Sequence, residues 1–197
     1  MEPLCIVVEG LDGVGKSTAV AGLVHRLNAV LLVTPPPALQ AFRAYFDASP
    51  EFKRGYYMTG NFLAASEMRA ALAAGRHVVC DRFFASTRAY ALGKEATLPA
   101  AGDAAYAWPP ELLRPPHMLQ LVLPEEQRLE RRAARLGTPE TLEEEQLRLD
   151  ALFAARVREA YARMGCVEVS ADGGADAVVD RLLAAVGRRP DGSSPAS

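Results

Sequence analysis

Short apolar runs rich in branched residues recur at residues 4–8, 29–33, 77–80, 118–123 and 166–169. Each has the length of a strand, and their unbroken apolar character predicts burial on both faces for most of them, as in parallel sheets. Between these runs the period changes. Val20, Leu23, Val24 and Leu27 follow the spacing i, i+3, i+4, i+7, and Ala175, Val178, Val179, Leu182, Leu183 and Val186 repeat it near the end of the chain. Strands alternating with amphipathic helices predict parallel βαβ units in a three-layer α/β domain.

Two segments break the regularity. Residues 93–116 are rich in Ala, Pro and Gly, and residues 137–140 separate the Arg-rich stretch 128–135 from a long helical pattern ending near Gly165. Both are loop candidates, of the kind that often covers active sites. From Arg188 the chain turns to Pro, Gly, Ser and charge, which predicts one domain over residues 1–187 and a disordered tail over 188–197.

Composition narrows the class. Half of the 197 residues are hydrophobic and 23% are charged, an ordinary globular balance, and the net charge of -2 offers no bulk attraction for a polyanion. Nucleic acid is therefore not an expected partner. Cys5, Cys80 and Cys166 lie far apart in apolar runs, which predicts three buried thiols rather than disulfides or a metal cluster. No apolar run approaches the roughly 20 residues that span a bilayer, so no membrane partner is expected. The chain as given is expected in the cytoplasm, or in mitochondria if a transit peptide has been removed.

The chemistry begins at the end of the first apolar run. Gly10, Asp12, Gly13, Val14, Gly15, Lys16, Ser17 and Thr18 lie in a Gly-rich stretch that follows a strand and opens a helix. Small residues let successive backbone N–H groups approach phosphate oxygens, Lys16 would reach the β and γ phosphates of a nucleotide, and Ser17 would hold Mg²⁺. Asp12 is out of place among phosphates. It is either a turn former or turned toward another partner, such as a sugar hydroxyl of a second substrate.

Asp81 and Arg82 stand at the carboxyl end of the third run, the edge where open parallel sheets bind ligands. Asp81 could position Mg²⁺ through water and Arg82 could grip a second phosphate, or the two could form a structural ion pair. Arg128, Arg131 and Arg135 are spaced along one helix face, either to close over a migrating phosphate or as a solvated face balanced by Glu125, Glu126 and Glu130. Lys53, Arg54, Tyr56 and Tyr57 cluster ahead of Asn61, a pattern that suits a nucleobase site but also occurs in cores.

Residues 9–18 (EGLDGVGKST), with Asp81-Arg82-Phe83, resemble the thymidylate kinase-like family of nucleoside monophosphate kinases. Residues 29–36 (AVLLVTPP), 60–67 (GNFLAASE), 107–113 (AWPPELL) and 160–166 (AYARMGC) resemble its mitochondrial-type UMP-CMP kinase branch. The resemblance implies a P-loop NTPase sandwich with a five-stranded parallel sheet flanked by helices, and a short lid near residues 128–142. It implies transfer of the γ-phosphoryl group of ATP to a pyrimidine nucleoside monophosphate with Mg²⁺, by a homodimer.

By that resemblance Lys16 and Ser17 match ATP and metal contacts, and Asp12 matches a loop acid facing the acceptor sugar. Arg82 matches the arginine that holds the acceptor phosphate, Tyr57 a base-stacking aromatic and Tyr90 an aromatic beside the sugar. Arg131 would lie against adenine and Arg135 in the lid, while Ser170 and Ala171 match the adenine loop. Asn61 occupies the place of a base-reading arginine in thymidylate kinases, which turns the expectation toward CMP, UMP or their deoxy forms, with dTMP as the alternative. The loop over residues 35–38 lacks an arginine for the acceptor phosphate, and Arg43 or Arg54 would substitute. A GTPase switch is disfavoured, because no Asn-Lys-x-Asp signature occurs. A catalytically idle binding module would be expected to have lost Lys16, Asp81 or Arg82.

Overall fold

All five apolar runs become strands, offset by at most two residues at either end from their predicted bounds. The computed structural model describes residues 2–46, 49–134, 145, 147 and 149–187. The strands β1 (Cys5–Gly10), β2 (Val30–Val33), β3 (Val78–Asp81), β4 (His117–Val122) and β5 (Val167–Ser170) form one parallel sheet in the order β2-β3-β1-β4-β5. The register aligns Val8 with Asp81 on one side and with Leu119 on the other, so the phosphate loop and the Asp81-Arg82 turn leave the sheet side by side.

Helices α1 (Lys16–Leu27), α2 (Arg43–Phe46), α3 (Pro50–Ala73), α4 (Phe84–Gly93), α5 (Glu125–Ala133), α6 (Ala151–Arg163) and α7 (Ala175–Val186) connect the strands or follow them. Alternate residues of β1 enter separate cores. Ile6 and Val8 pack with Val20 and Leu23 of α1 and Val179 and Leu182 of α7, whereas Cys5 and Val7 pack with Ala64 and Met68 of α3 and Phe84 of α4. Side chains alternate across a strand, so two apolar faces need two helix layers. The start of α3 is fixed by Ser49, whose hydroxyl accepts from the Phe52 N–H at 3.1 Å.

Burial on both faces holds for β1, β3 and β4 but not at the sheet edges. In β2 only Leu32 is buried while Leu31 is 49% exposed, and in β5 Val167 is 44% exposed, because the helices do not close over the edge strands. All three cysteines are buried free thiols.

The irregular stretch 93–116 contains one 3₁₀ turn, Ala104–Tyr106, and is pinned to the core. The Trp108 ring lies 4.8 Å from that of Phe84 and 5.9 Å from that of Phe83, and Tyr106 Oη donates to Pro99 O at 3.0 Å. Arg88 and Arg163 also donate to Ala105 O and Pro99 O. Arg135, the lid from there to residue 142 and the tail 188–197 lie outside the described residues. Among the described residues no helix is long and apolar enough to cross a membrane.

Candidate functional site

The loop between β1 and α1 can take its path only with glycine at two places. A Cβ on Gly10, at φ +136°, would stand 2.6 Å from Leu121 O, and one on Gly13, at φ +91°, would stand 2.8 Å from Arg128 O. The loop therefore lies against β4 and α5 and leads its N–H groups to the start of α1. Lys16 is buried there, and its Nζ donates to Leu11 O at 2.8 Å. Burial lowers the Lys16 ammonium to about 8, reinforced by Arg82 and partly offset by Asp12, Asp81 and Glu9.

Ser17 Oγ donates to Asp81 Oδ2 at 3.2 Å across the gap between β1 and β3. No cluster of three or more His, Cys, Asp or Glu that could hold a metal occurs among the described residues. One hydroxyl beside one carboxylate suits Mg²⁺, which keeps several waters and takes phosphate oxygens for the rest of its shell.

Arg82 has a backbone φ of +66°, a left-handed conformation that costs a non-glycine residue roughly 1–3 kcal/mol. The turn aims its guanidinium at the phosphate loop. Nη2 donates to Asp12 Oδ1 at 2.7 Å and Nη1 to Ser86 Oγ at 3.1 Å, while the guanidinium lies 5.4 Å from the Tyr90 ring centre. Tyr90 Oη donates to Asp12 Oδ2 at 3.1 Å, so both carboxylate oxygens of the out-of-place acid are engaged. Burial alone would raise the Asp12 carboxyl, but Arg82 and Lys16 outweigh it and hold Asp12 far below the usual carboxylate range. Asp12 is thus an anion at any ordinary pH.

In front of this cluster opens a cavity of about 430 Å³. Asp12, Arg43, Arg54, Tyr57, Arg82 and Tyr90 line it, together with Lys53, Ser86, Thr87 and Lys94. Among the described residues the lining carries five cationic side chains (Arg43, Lys53, Arg54, Arg82, Lys94) and two acids, Asp12 and Glu95, a balance that suits an anionic guest. Of the neighbouring tyrosines only Tyr57 lines the cavity; Tyr56 is 3% exposed in the core. Asn61 stands behind the wall rather than in it. It is fully buried, and its Nδ2 donates at 3.0 Å to the lining Thr87 Oγ1.

A second group of residues meets on the far side of the phosphate loop. Arg131 Nη1 donates to Ala171 O at 3.1 Å, just after Ser170, the last residue of β5, and the same nitrogen would lie 3.6 Å from a Cβ on Gly15. Arg128 does not share that position. It is 1% exposed, with Nη1 donating to Asp12 O at 2.8 Å, Nε to Glu125 Oε2 at 3.1 Å and Nη2 to Leu147 O at 3.3 Å. The three-and-four spacing therefore does not make one ligand-facing stripe: Arg128 props the loop from beneath while Arg131 is exposed.

Sequence reasoning missed Glu9, Ser86, Thr87 and Lys94. Ser86, Thr87 and Tyr90 are spaced to share one face of α4, a signal available once that helix is placed. Glu9 follows Cys5 and Val7 in period two, so alternation puts it on a buried face. It is fully buried, and burial pushes its carboxyl from the ordinary 4.5 to about 7, against the opposing pull of Ser86 and Arg82.

A family model described as thymidylate kinase matches residues 8–182. Human mitochondrial UMP-CMP kinase 2 is 35% identical over 189 residues, 92% of this chain and 42% of that protein, so the chain spans less than half of that relative. The thymidylate kinase of Jannaschia sp. (strain CCS1) is 34% identical over 207 residues, covering 96% of this chain and 98% of that one. The thymidylate kinase of Bradyrhizobium diazoefficiens is 33% identical over 212 residues, 92% of this chain and 87% of its own. Among solved structures, thymidylate kinase from Candida albicans shares the fold with a TM-score of 0.66 over 94% of this chain and 91% of that one, at 21% identity.

Proposed function

The chain belongs to the thymidylate kinase family, and on that premise we propose that it is an ATP-dependent nucleoside monophosphate kinase whose acceptor is CMP, UMP or a deoxy form of either. The observation that carries this reading is Arg82, held in a strained turn between the phosphate loop and a cationic cavity. A phosphate loop alone serves switches, motors and kinases alike. A second phosphate grip beside it gives the site two substrates.

In this reading the donor triphosphate lies along the loop from Gly10 to Thr18, including Gly13, Val14 and Gly15. Lys16 leaves Leu11 O for the phosphates, whose charge restores its ordinary affinity for the proton. Ser17 and Asp81 would hold Mg²⁺, which when bound neutralises charge between the donor phosphates. Arg131, Ser170 and Ala171 flank adenine on the β5 side, and Arg135 is proposed to act from the lid that follows α5 in sequence.

The acceptor phosphate meets Arg82, with Arg43 and Arg54 supplying the charge that residues 35–38 lack. Asp12 and Tyr90 face its sugar and Tyr57 stacks on its base. An acceptor phosphate oxygen is already nucleophilic, so positioning and charge neutralisation suffice and no side chain need act as a strong base.

Base choice falls to Asn61 through Thr87. Because Thr87 Oγ1 accepts from Asn61, its own O–H is left to donate toward a pyrimidine carbonyl, which cytosine, uracil and thymine all carry, so this contact selects a pyrimidine rather than one pyrimidine over another. The 35% identity with human UMP-CMP kinase 2 supports CMP or UMP as the acceptor. A second reading, dTMP as acceptor, is favoured by relatives named thymidylate kinase that match along nearly their whole length.

The proposal extends to a kinase domain over residues 1–187, to a homodimer and to a cytoplasmic or mitochondrial setting. Purified protein supplied with ATP, Mg²⁺ and CMP, UMP, dCMP, dUMP or dTMP in turn tests the function by ADP formation. Turnover of CMP or UMP is expected. Turnover of dTMP alone would install the second reading, and ATP binding without transfer to any acceptor would overturn the kinase.

A further inference from the structure

We infer that Glu9 is a positioning residue: from the end of β1 its buried carboxylate caps α4 and thereby holds Arg82 in the conformation that grips the acceptor phosphate. The inference rests on the reading that Arg82 takes that phosphate.

Helix α4 starts without a cap of its own. Its N-cap residue, Phe83, has no side-chain acceptor for the free N–H groups of the first turn. Glu9 supplies one from the neighbouring strand. Its Oε1 accepts from the N–H of Phe83 at 3.0 Å and from that of Ser86 at 3.3 Å. These are the two donors that a capping box satisfies with two local side chains, and here one oxygen from β1 serves both. The other oxygen, Oε2, accepts from Ser86 Oγ.

That second oxygen connects the cap to Arg82. Having donated to Glu9, the Ser86 hydroxyl oxygen accepts from Arg82 Nη1 at 3.1 Å and pairs with Tyr161 Oη at 2.8 Å. The backbone of the same turn is held on both sides. Arg82 N donates to Val8 O at 3.0 Å, and Cys80 Sγ donates to Arg82 O at 3.0 Å. Val8 and Glu9 therefore tie residues 82, 83 and 86 to β1, and the left-handed backbone of Arg82 lies inside that tie. An exposure of 0% leaves Glu9 unable to touch either substrate, so it acts only through Ser86 and the turn.

The role depends on reach and hydrogen bonding rather than on charge, and two conservative variants separate these. Glu9→Gln keeps the reach, accepts both N–H groups and can donate to Ser86 Oγ, whereas Glu9→Asp keeps the charge but is shorter by one methylene. Binding of CMP, cytidine and ATP is titrated calorimetrically with the wild type, Glu9→Gln, Glu9→Asp and Glu9→Ala at about pH 8, above the value of about 7 to which burial raises Glu9.

Glu9→Ala and Glu9→Asp are expected to weaken CMP by about tenfold, the size of one slackened charge-assisted hydrogen bond. Cytidine, which has no phosphate, and ATP should bind all four proteins alike, and Glu9→Gln should hold CMP within about threefold of the wild type. If Glu9→Ala does not fold, the Gln and Asp pair still decides. Rescue by Asp and not by Gln, or an equal loss for cytidine and CMP, would overturn the inference. A wild type that binds CMP but transfers phosphate to no monophosphate overturns the kinase while leaving the Glu9 comparison readable. A wild type blind to every monophosphate sinks both.

Discussion

Replacing Arg128 with Ala and, separately, Arg131 with Ala on the same helix tests whether burial or sequence spacing decides what an arginine does. Arg128 is 1% exposed and gives hydrogen bonds to Asp12 O, Leu147 O and Glu125. Breaking a buried ion pair by removing one partner costs about 3–5 kcal/mol, mostly through the stranded partner. Here Glu125 is not stranded, because Arg158 also pairs with it and its side chain is 35% exposed. The two carbonyls and the emptied space remain, so the lower end applies, about 3 kcal/mol. For a chain of this size each kcal/mol shifts Tm by about 2–4 °C, giving a fall of about 6–12 °C. Arg131, exposed with one carbonyl contact, should cost within about 0.5 kcal/mol. Thermal unfolding followed by circular dichroism without nucleotide reads both. A fall for Arg128→Ala no larger than for Arg131→Ala would refute the reasoning.

Other substitutions probe the site and its surroundings. Arg82→Ala should lower kcat/KM for the acceptor by about 30-fold or more, from the 2–5 kcal/mol typical of truncating a buried charge partner, while leaving ATP binding in place; an unchanged acceptor response in initial-rate assays would remove Arg82 from the site. Gln120→Leu should hold or raise Tm, because among the described residues neither amide atom of this fully buried side chain has a protein partner and apolar replacement removes that cost; a fall of several degrees would contradict it. Glu9 binds its proton more tightly in the folded chain, at about 7 against 4.5, so its contribution to stability is full below 4.5 and is lost as pH rises through 7. Urea unfolding should therefore show Glu9→Gln gaining on the wild type between about pH 5 and pH 8, and the opposite trend would reverse the assignment.

The strands and the two amphipathic helices were legible because their periods are set by the geometry of burial. The edges were less so: the apolar runs at 29–33 and 166–169 look no different from the central ones, yet whether a strand is central or peripheral depends on pairing order, which no local pattern carries. The same limit governs the site. Lys16, Ser17, Asp12 and Arg82 declared themselves by type and spacing at strand ends. Arg128 did not, since its burial depends on the phosphate loop lying over α5. Glu9 was visible as part of a motif but mute about its partners, because Phe83 and Ser86 lie 74 and 77 residues away and only the β1–β3 pairing brings them near. Asn61 was placed in the cavity by count, and the helix turns it one layer back, behind Thr87.

The strand order has a consequence for how such a protein can diversify. With β1 in the middle, the cationic cavity lies toward β2 and β3, while Arg131 and Ala171 lie toward β4 and β5. Neighbouring strands are about 4.8 Å apart, so the two edges stand some four spacings from one another. Substitutions at one edge share few contacts with those at the other and should combine additively. A lineage can then exchange one guest for another at the β2 edge without retuning the β5 edge, and the shared central loop is the single part that neither change is free to alter.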